Sequence, residues 1–166
     1  HKITCYAYNV QVKRVGRFDV QKANALNIPK KLWSILQKQQ SVEFEGKTYT
    51  SDMVLGSPRK GIKVSYCTDT RPTKELPAFV ENSDLLICEG MYGEKDKIQK
   101  AKEYKHMMFT EAAEIAKKAN VNEMWLTHFS PAMPFPEEFL PSAKEIFENT
   151  HIGKDRKNVT LLFEED

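Results

Sequence analysis

Three ionisable side chains stand at the ends of predicted strands in this sequence. Asp69, Glu89 and His128 each follow a short apolar run directly or within two residues. The carboxyl ends of parallel strands meet at one edge of a sheet, where ligands bind in open α/β domains. A carboxylate and an imidazole that converge there could hold zinc or manganese. The alternative is a local role for each residue, with Asp69 capping the next turn and His128 serving as a satisfied core imidazole.

Two further histidines lie away from those strand ends. His106 precedes a predicted helix that leads into the strand before His128, so it could reach the same sheet edge. The alternative for His106 is a solvated loop position. His151 follows another predicted helix and is interpreted as a C-terminal cap residue without a chemical role. The sequence contains no Gly-rich phosphate loop and no nucleophile elbow.

The elements that must position these groups alternate from residue 62 onward. In chain order, the strands and helices predicted there are 62–67, 73–80, 84–88, 111–119 with Thr110 as N-cap, 123–127, 141–149 and 159–163. The earlier predicted elements are a strand at 3–12, a helix from Asp19 to about 26, a helix at 32–38 and a hairpin around Glu45-Gly46. The alternation predicts a layered α/β arrangement.

Composition bounds the class of protein. The 166 residues are 40% hydrophobic and 29% charged, which is typical of a globular domain. No apolar run approaches the roughly 20 residues of a membrane helix, and the first residues do not resemble a signal peptide, so we expect no membrane association. The three cysteines, Cys5, Cys67 and Cys88, form no Cys-x-x-Cys pair. They predict unpaired thiols in a reducing compartment, the cytoplasm.

Charge is distributed unevenly along the chain. The overall net charge is +2, but residues 1–75 carry +8 and residues 76–166 carry −6. Segregated positive charge indicates that one region meets a polyanion such as nucleic acid. A lysine-rich solvated face is the alternative that charge alone leaves open.

Several segments together carry a resemblance to a known family. In chain order they are Tyr66-Cys67-Thr68-Asp69-Thr70-Arg71-Pro72, Asp84-Leu85-Leu86-Ile87-Cys88-Glu89-Gly90, His106 with Thr110-Glu111-Ala112-Ala113-Glu114-Ile115-Ala116, and Leu126-Thr127-His128-Phe129-Ser130. Upstream, His1-Lys2-Ile3-Thr4-Cys5-Tyr6-Ala7-Tyr8 resembles a further metal-binding motif. In this order and spacing, the sequence resembles ribonuclease Z, a family of tRNA 3′-processing endonucleases in the metallo-β-lactamase superfamily.

The resemblance implies a fold and an organisation. The implied fold is an α/β metallo-β-lactamase-like αββα sandwich, of which residues 1–166 are about the C-terminal half. Residues 13–60 take the place of the protruding tRNA-binding arm. The family's His-x-His-x-Asp-His cluster is absent from this sequence. We therefore expect the chain alone to be inactive, because His1, Asp69 and His128 cannot complete two zinc sites.

The resemblance also implies residue roles. His1 would bind one zinc ion, His128 would bind the other, and Asp69 would bridge them; manganese is an alternative metal. Glu89 and His106 would form the pair that protonates the leaving group. Departures from the family pattern are Cys88 in place of a histidine, Met107-Met108 in place of Ser-Thr, and Pro29-Lys30-Lys31 without a Gly-Pro turn.

The implied substrate is precursor tRNA, cleaved at its 3′ trailer, and the implied assembly is a homodimer. The residues expected to contact tRNA phosphates are Lys13, Arg14, Arg17, Lys30, Lys31 and Lys38. Two alternatives stay open. One is another hydrolase of the same fold, such as an arylsulfatase or phosphodiesterase, and the other is a non-catalytic RNA-binding module.

Overall fold

The computed structural model describes residues 3–164, and they divide into two compact units. The first unit comprises Ile62–Phe163 and the described residues up to Val12. The second unit comprises Lys13–Gly61 together with Glu164. The boundaries of the second unit nearly coincide with the segment 13–60 that the sequence analysis treats as an insertion.

The first unit is built on a five-stranded sheet in the order β1-β4-β5-β6-β7. Its strands are β1 Tyr8–Arg14, β4 Arg59–Cys67, β5 Leu85–Glu89, β6 Met124–Thr127 and β7 Thr150–Ile152. Strands β4 to β7 are parallel to one another. Their carboxyl ends therefore share one edge, as the alternation of strands and helices predicts.

One face of the sheet is covered by helices. Cys67, Cys88, Leu126 and Ile152 pair in register across four strands and belong to one buried cluster. The helices of this unit are α3 Leu76–Phe79, α4 Ile98–Tyr104, α5 Phe109–Lys118 and α6 Leu140–Lys144. Phe109 of α5 is fully buried, and such a side chain contributes about 1.5–3 kcal/mol by its removal from water. Within residues 3–164, no helix has the length and apolar character needed to cross a bilayer.

The opposite face of the sheet is partly exposed. The side chain of Asn9 bonds to Ser65 on the helix-covered face, so its neighbours Tyr8 and Val10 point the other way. Tyr8 is 59% exposed and Val10 is 64% exposed. Tyr66, on the same strand as Ser65, is 40% exposed. An apolar sheet face of this kind is normally covered by another layer.

The second unit contains two short helices and a hairpin. Its elements are α1 Val20–Ala25, α2 Lys30–Leu36, β2 Ser41–Phe44 and β3 Lys47–Thr50. The Asp19 side chain accepts a hydrogen bond from the Lys22 N–H and caps α1, as predicted. Glu45 and Gly46 both have positive φ, 51° and 72°, which is the geometry of a tight hairpin turn. The predicted helix and hairpin are thus confirmed here.

Some predicted elements are wrong. Residues 159–163 form no strand, and β7 at Thr150–Ile152 is the last strand instead. The helix predicted from Thr110 begins at Phe109, and Glu111 accepts a hydrogen bond from the Met108 N–H at its start. The predicted strand at 3–12 begins only at Tyr8, and α6 ends at Lys144 rather than near residue 149.

Candidate metal centre and its buried carboxylate–histidine pair

The predicted site residues meet at the carboxyl edge of the sheet. Asp69 lies two residues beyond β4, Glu89 is the last residue of β5, and His128 directly follows β6. The parallel register brings the three strand ends side by side, because Cys67 pairs with Cys88 and Glu89 pairs with Thr127. The convergence predicted from the strand ends is therefore present in the structure.

Asp69, His106 and His128 form a potential metal-binding group. Each offers one ligand atom, and these atoms lie within 4.8 Å of one another. His128 Nε2 is 3.3 Å from Asp69 Oδ1, and both side chains are about one-third exposed. Imidazole nitrogen and carboxylate oxygen are donors that zinc accepts, so the residues fit a divalent cation. His106, expected near this edge from the sequence, is in the cluster.

The backbone at two of these positions has an uncommon conformation. Asp69 has φ of 52° and His128 has φ of 58°, both in the left-handed region. A non-glycine residue there costs roughly 1–2 kcal/mol. Such strain often accompanies functional sites, where the surrounding structure holds a side chain in a required direction. Both residues belong to the potential metal-binding group at the sheet edge.

Glu89 and His106 form a buried pair beside this cluster. Glu89 is 0% exposed, and its Oε2 lies 3.0 Å from His106 Nδ1. The N–H of Met107 donates to the same oxygen at 3.1 Å, and the N–H of Thr70 donates to Oε1. His106 is itself 7% exposed, so both partners are shielded from bulk water.

Burial shifts the pKa of each partner toward its neutral form. It raises the pKa of Glu89 to about 7, against the lowering effect of the two backbone N–H donors and of His128. It lowers the pKa of His106, and the neighbouring Asp69 opposes that shift. A carboxyl group with a pKa near neutrality and an imidazole beside it can exchange a proton at physiological pH.

The segment after β5 holds the site loops together. Residues 90 and 91 form backbone hydrogen bonds with the two residues that flank His128 and Phe129. The Gly90 N–H donates to Thr127 O at 2.8 Å, and the Ser130 N–H donates to Met91 O at 3.0 Å. Gly90 is required by space, because a Cβ atom there would lie 2.9 Å from Phe109 and 3.0 Å from Leu126. His106 follows Lys105, the C-terminal cap residue of α4, which has a φ of 66°.

The sequence also predicts roles for His1 and His151. His1 is outside the described residues, so its predicted role stays a prediction. His151, interpreted from the sequence as a helix cap, is instead the middle residue of β7, and its Nε2 lies 3.0 Å from Asn149 Oδ1.

The predicted tRNA-contacting residues all lie in the second unit. Of the six, Arg14 is half-buried and the others are exposed. The Lys31 ammonium lies 3.7 Å from the centre of the Phe44 ring and 3.8 Å from Glu45 Oε1. Lys31 would therefore have to share its ammonium between these partners and a phosphate oxygen.

One pair beside the site was missed by sequence reasoning. Arg71 forms a forked salt bridge with Glu111 and also donates to the carbonyl of His106 at 2.6 Å. The only signal in the sequence is an arginine two residues after a candidate ligand, and that signal does not identify its partner 40 residues away.

The thiols match their prediction. Cys5, Cys67 and Cys88 are all unpaired, and Cys67 and Cys88 are buried. Burial raises the pKa of the Cys67 thiol to about 11 and raises that of Cys88 well above its ordinary value. The two buried thiols therefore serve packing rather than chemistry.

The chain is similar to proteins of known family. The model of the beta-lactamase superfamily domain matches residues 15–129. Ribonuclease Z of Agathobacter rectalis is 57% identical over 166 residues, which are 100% of this chain and 55% of the relative. Ribonuclease Z of Clostridium acetobutylicum is 57% identical over 164 residues, 99% of this chain and 53% of the relative. The chain thus spans about half the length of the curated relatives it matches.

Among solved structures, a metallo-beta-lactamase fold protein from Bacillus subtilis is 31% identical with a TM-score of 0.47, over 54% of this chain and 35% of that chain. The predicted resemblance and fold class are confirmed by the family match and the ribonuclease Z relatives. With the sheet, the helical layer and the clustered site residues, they show that the chain belongs to the beta-lactamase superfamily and has part of its metallo-β-lactamase fold.

Proposed function

We infer that this chain is part of a metal-dependent endoribonuclease of the ribonuclease Z type, which cleaves the 3′ trailer from precursor tRNA. The observation that carries the proposal is the buried Glu89–His106 pair beside Asp69 and His128. A metal-binding group and a proton donor a few ångströms apart are what hydrolysis of a phosphodiester requires. Similarity that covers nearly all of this chain, and about half of each ribonuclease Z relative, supports RNA rather than another phosphodiester as substrate.

The chain is proposed to supply the C-terminal half of one metallo-β-lactamase-like domain. The exposed apolar face around Tyr8, Val10 and Tyr66 supports this, because the αββα sandwich packs a second sheet against such a face. The remaining metal ligands would come from that second half. We therefore expect the purified 166-residue chain to show no tRNA cleavage, and measurable cleavage by it would contradict the half-domain proposal.

Zinc is the proposed metal, with manganese or another divalent ion as the alternative. Two ions are expected in the natural polypeptide: His1 would be a ligand of one, His128 of the other, and Asp69 of both. When bound, the metal would activate water for attack and stabilise charge on the phosphodiester. The positive φ of Asp69 and His128 supports a ligand role, because backbone strain of this kind clusters at functional sites.

The Glu89–His106 pair is proposed to protonate the departing 3′ oxygen. Nδ1 of His106 is held by Glu89, which leaves Nε2 as the nitrogen that donates a proton. Glu89 fixes the orientation of the ring. Burial lowers the pKa of His106, so an imidazolium formed there would be a strong proton donor. Burial keeps the ring from exchanging its proton with bulk water.

The second unit is proposed to hold tRNA through its backbone phosphates. Its proposed contacts are Lys13, Arg14, Arg17, Lys30, Lys31 and Lys38. Their exposure supports this role, since phosphate contacts position RNA without reading its sequence. A homodimer and a cytoplasmic location are part of the same proposal. Sedimentation of the natural polypeptide tests the dimer.

A pair of alanine variants tests the assignment of roles. In the longest natural polypeptide that contains this chain, His106→Ala should lower turnover and leave the zinc content unchanged. His128→Ala should lower the zinc content. Elemental analysis and single-turnover cleavage of a precursor tRNA separate the two results. Loss of zinc in His106→Ala would show that His106 is a ligand, which its place in the metal-binding group also permits.

Another hydrolase of the superfamily remains the second candidate, because the family match covers the whole superfamily rather than one activity. The third candidate, an RNA-binding module without catalysis, predicts no bound metal. About two zinc ions per natural polypeptide would exclude that module.

A further inference from the structure

Three consecutive residues beside the site are each held by a different charged side chain. The carbonyl of His106 accepts a hydrogen bond from Arg71 at 2.6 Å. The N–H of Met107 donates to Glu89, and the N–H of Met108 donates to Glu111 at 2.9 Å. The short segment that carries the His106 ring is therefore fixed at successive backbone groups.

Two of these three charged side chains also bind each other. One Arg71 nitrogen bonds to both the His106 carbonyl and Glu111 Oε2, the latter at 2.6 Å, while the second nitrogen bonds to Glu111 Oε1. The guanidinium and the carboxylate are 22% and 19% exposed. Solvent screening is weak at that burial, and a planar fork loses little freedom on pairing.

Arg71 belongs to the loop that carries Asp69. The N–H of Thr70, between them, donates to Glu89. One loop thus presents a candidate metal ligand, a donor to the buried carboxylate and a clamp on the His106 backbone. Any shift of this loop moves the candidate metal ligand and the proposed proton donor together.

We propose that Arg71 and Glu111 are positioning residues that hold the His106 imidazole in register with Asp69 and His128. The proposal rests on the role proposed above for His106. A salt bridge that only stabilised α5 would not need the contact to the His106 carbonyl. That contact distinguishes positioning from simple stabilisation. Lysine at position 71 could keep the ion pair but would lack the second nitrogen and the planar fork that fix the nitrogen shared by the His106 carbonyl and Glu111.

The test uses Arg71→Lys in the longest natural polypeptide that contains this chain, with Glu114→Gln as the matched control. Glu114 lies on the same helix, is exposed, and lines the same groove of about 290 Å³ as Arg71 and Glu111. Arg71→Lys should lower kcat for precursor tRNA cleavage by roughly 10–100-fold, with KM, zinc content and Tm close to those of the parent protein. Glu114→Gln should leave all four quantities unchanged.

A second measurement does not depend on activity. In the metal-free protein, Arg71→Lys should accelerate hydrogen exchange of the Met107 amide about tenfold, and Glu114→Gln should not. Unchanged kcat in Arg71→Lys, or a kcat loss that follows a fall in Tm or zinc content, would overturn the positioning role. If the parent protein cleaves no phosphodiester, the proposed function fails, while unchanged Met107 exchange would refute the clamp separately.

Discussion

The two units of this chain differ in whether they bury ionisable side chains: among the described residues, buried ones occur in the first unit and not in the second. In the first, Glu89 and His106 are buried, paired and tied to backbone groups. In the second, lysines such as Lys30 and Lys38 lie on the surface. Proton transfer needs groups held in a dry, fixed geometry, whereas phosphate binding needs mobile cations in water. The contrast is consistent with the proposal that the first unit supplies the chemistry and the second unit binds the substrate.

The hydrophobic cores of the two units differ in size. The first core spans a four-strand row and its covering helices, while the second gathers Ala23, Ile28, Leu32, Leu36 and Val54. A small core yields little stabilisation above the entropy cost of ordering the chain. We therefore expect the second unit to open locally more often than the first.

Removal of the second unit should have the largest effect. Replacing residues 13–60 with a short linker in the natural polypeptide should abolish detectable tRNA binding, because the proposed phosphate contacts are lost. Hydrolysis of a small phosphodiester should persist, since the metal-binding group and the Glu89–His106 pair remain. Filter binding and a chromogenic substrate measure the two properties. Equal loss of both would contradict the division between the units.

Truncation of a buried side chain should have the second-largest effect, and that effect should differ between the two units. Phe109→Ala should lower the free energy of unfolding by about 3–5 kcal/mol, because it empties a fully buried site beneath Gly90. It should also weaken metal binding, since the Phe109 ring packs 5.7 Å from that of Phe129, next to His128. Urea unfolding and metal titration measure both effects.

Leu36→Ala is the matched truncation in the second unit. It should destabilise that unit by about 2–5 kcal/mol and leave metal affinity unchanged. Amide hydrogen exchange measures the stability of each unit separately. A fall in metal affinity as large as that of Phe109→Ala would show that the site depends on both cores.

The pH dependence of stability should reveal the buried Glu89. Its pKa is raised by burial to about 7 in the folded protein, so protonation favours folding. The contribution is complete below the ordinary pKa near 4.5 and is lost as pH rises through about 7. The full difference is up to about 3 kcal/mol.

Glu89→Gln removes that titration. The variant should lack the loss of stability that raising the pH from 4.5 to 7 causes in the parent protein, so the stability difference between the two proteins should change across this range. His106 has its pKa lowered by burial and acts in the opposite direction, and it is present in both proteins. Denaturation of the metal-free proteins across this range measures the difference. Parallel stability curves would contradict the raised pKa.

Local signals in the sequence predicted much of the fold and site. Asp19 as a cap and Glu45-Gly46 as a turn depend only on neighbouring residues, and both predictions are confirmed. The convergence of Asp69, Glu89 and His128 followed from strand ends and a parallel sheet. These features were accessible because periodicity and turn chemistry are encoded within a few residues.

Non-local choices were not accessible. Residues 159–163 have strand-like composition but no strand pairing in the structure, whereas the three residues of β7 pair with β6. Strand formation thus depends on the availability of a neighbouring strand for pairing rather than on amino-acid composition alone. The Arg71–Glu111 bridge and the positive φ of Asp69 and His128 also depend on tertiary packing.

The smallest predicted effect concerns single lysines of the second unit. Lys30→Gln or Lys38→Gln should weaken tRNA binding a few-fold and reduce the slope of log affinity against log salt by about 1. Lys118→Gln, an exposed position on α5 in the first unit, is the matched control and should change neither quantity. Salt-dependent binding of the natural polypeptide measures the slope. Each phosphate contact releases about one counterion. An unchanged slope of log affinity against log salt would therefore mean that the substituted lysine does not contact RNA. A changed slope in Lys118→Gln would extend the RNA-binding surface onto the unit that contains the candidate metal centre.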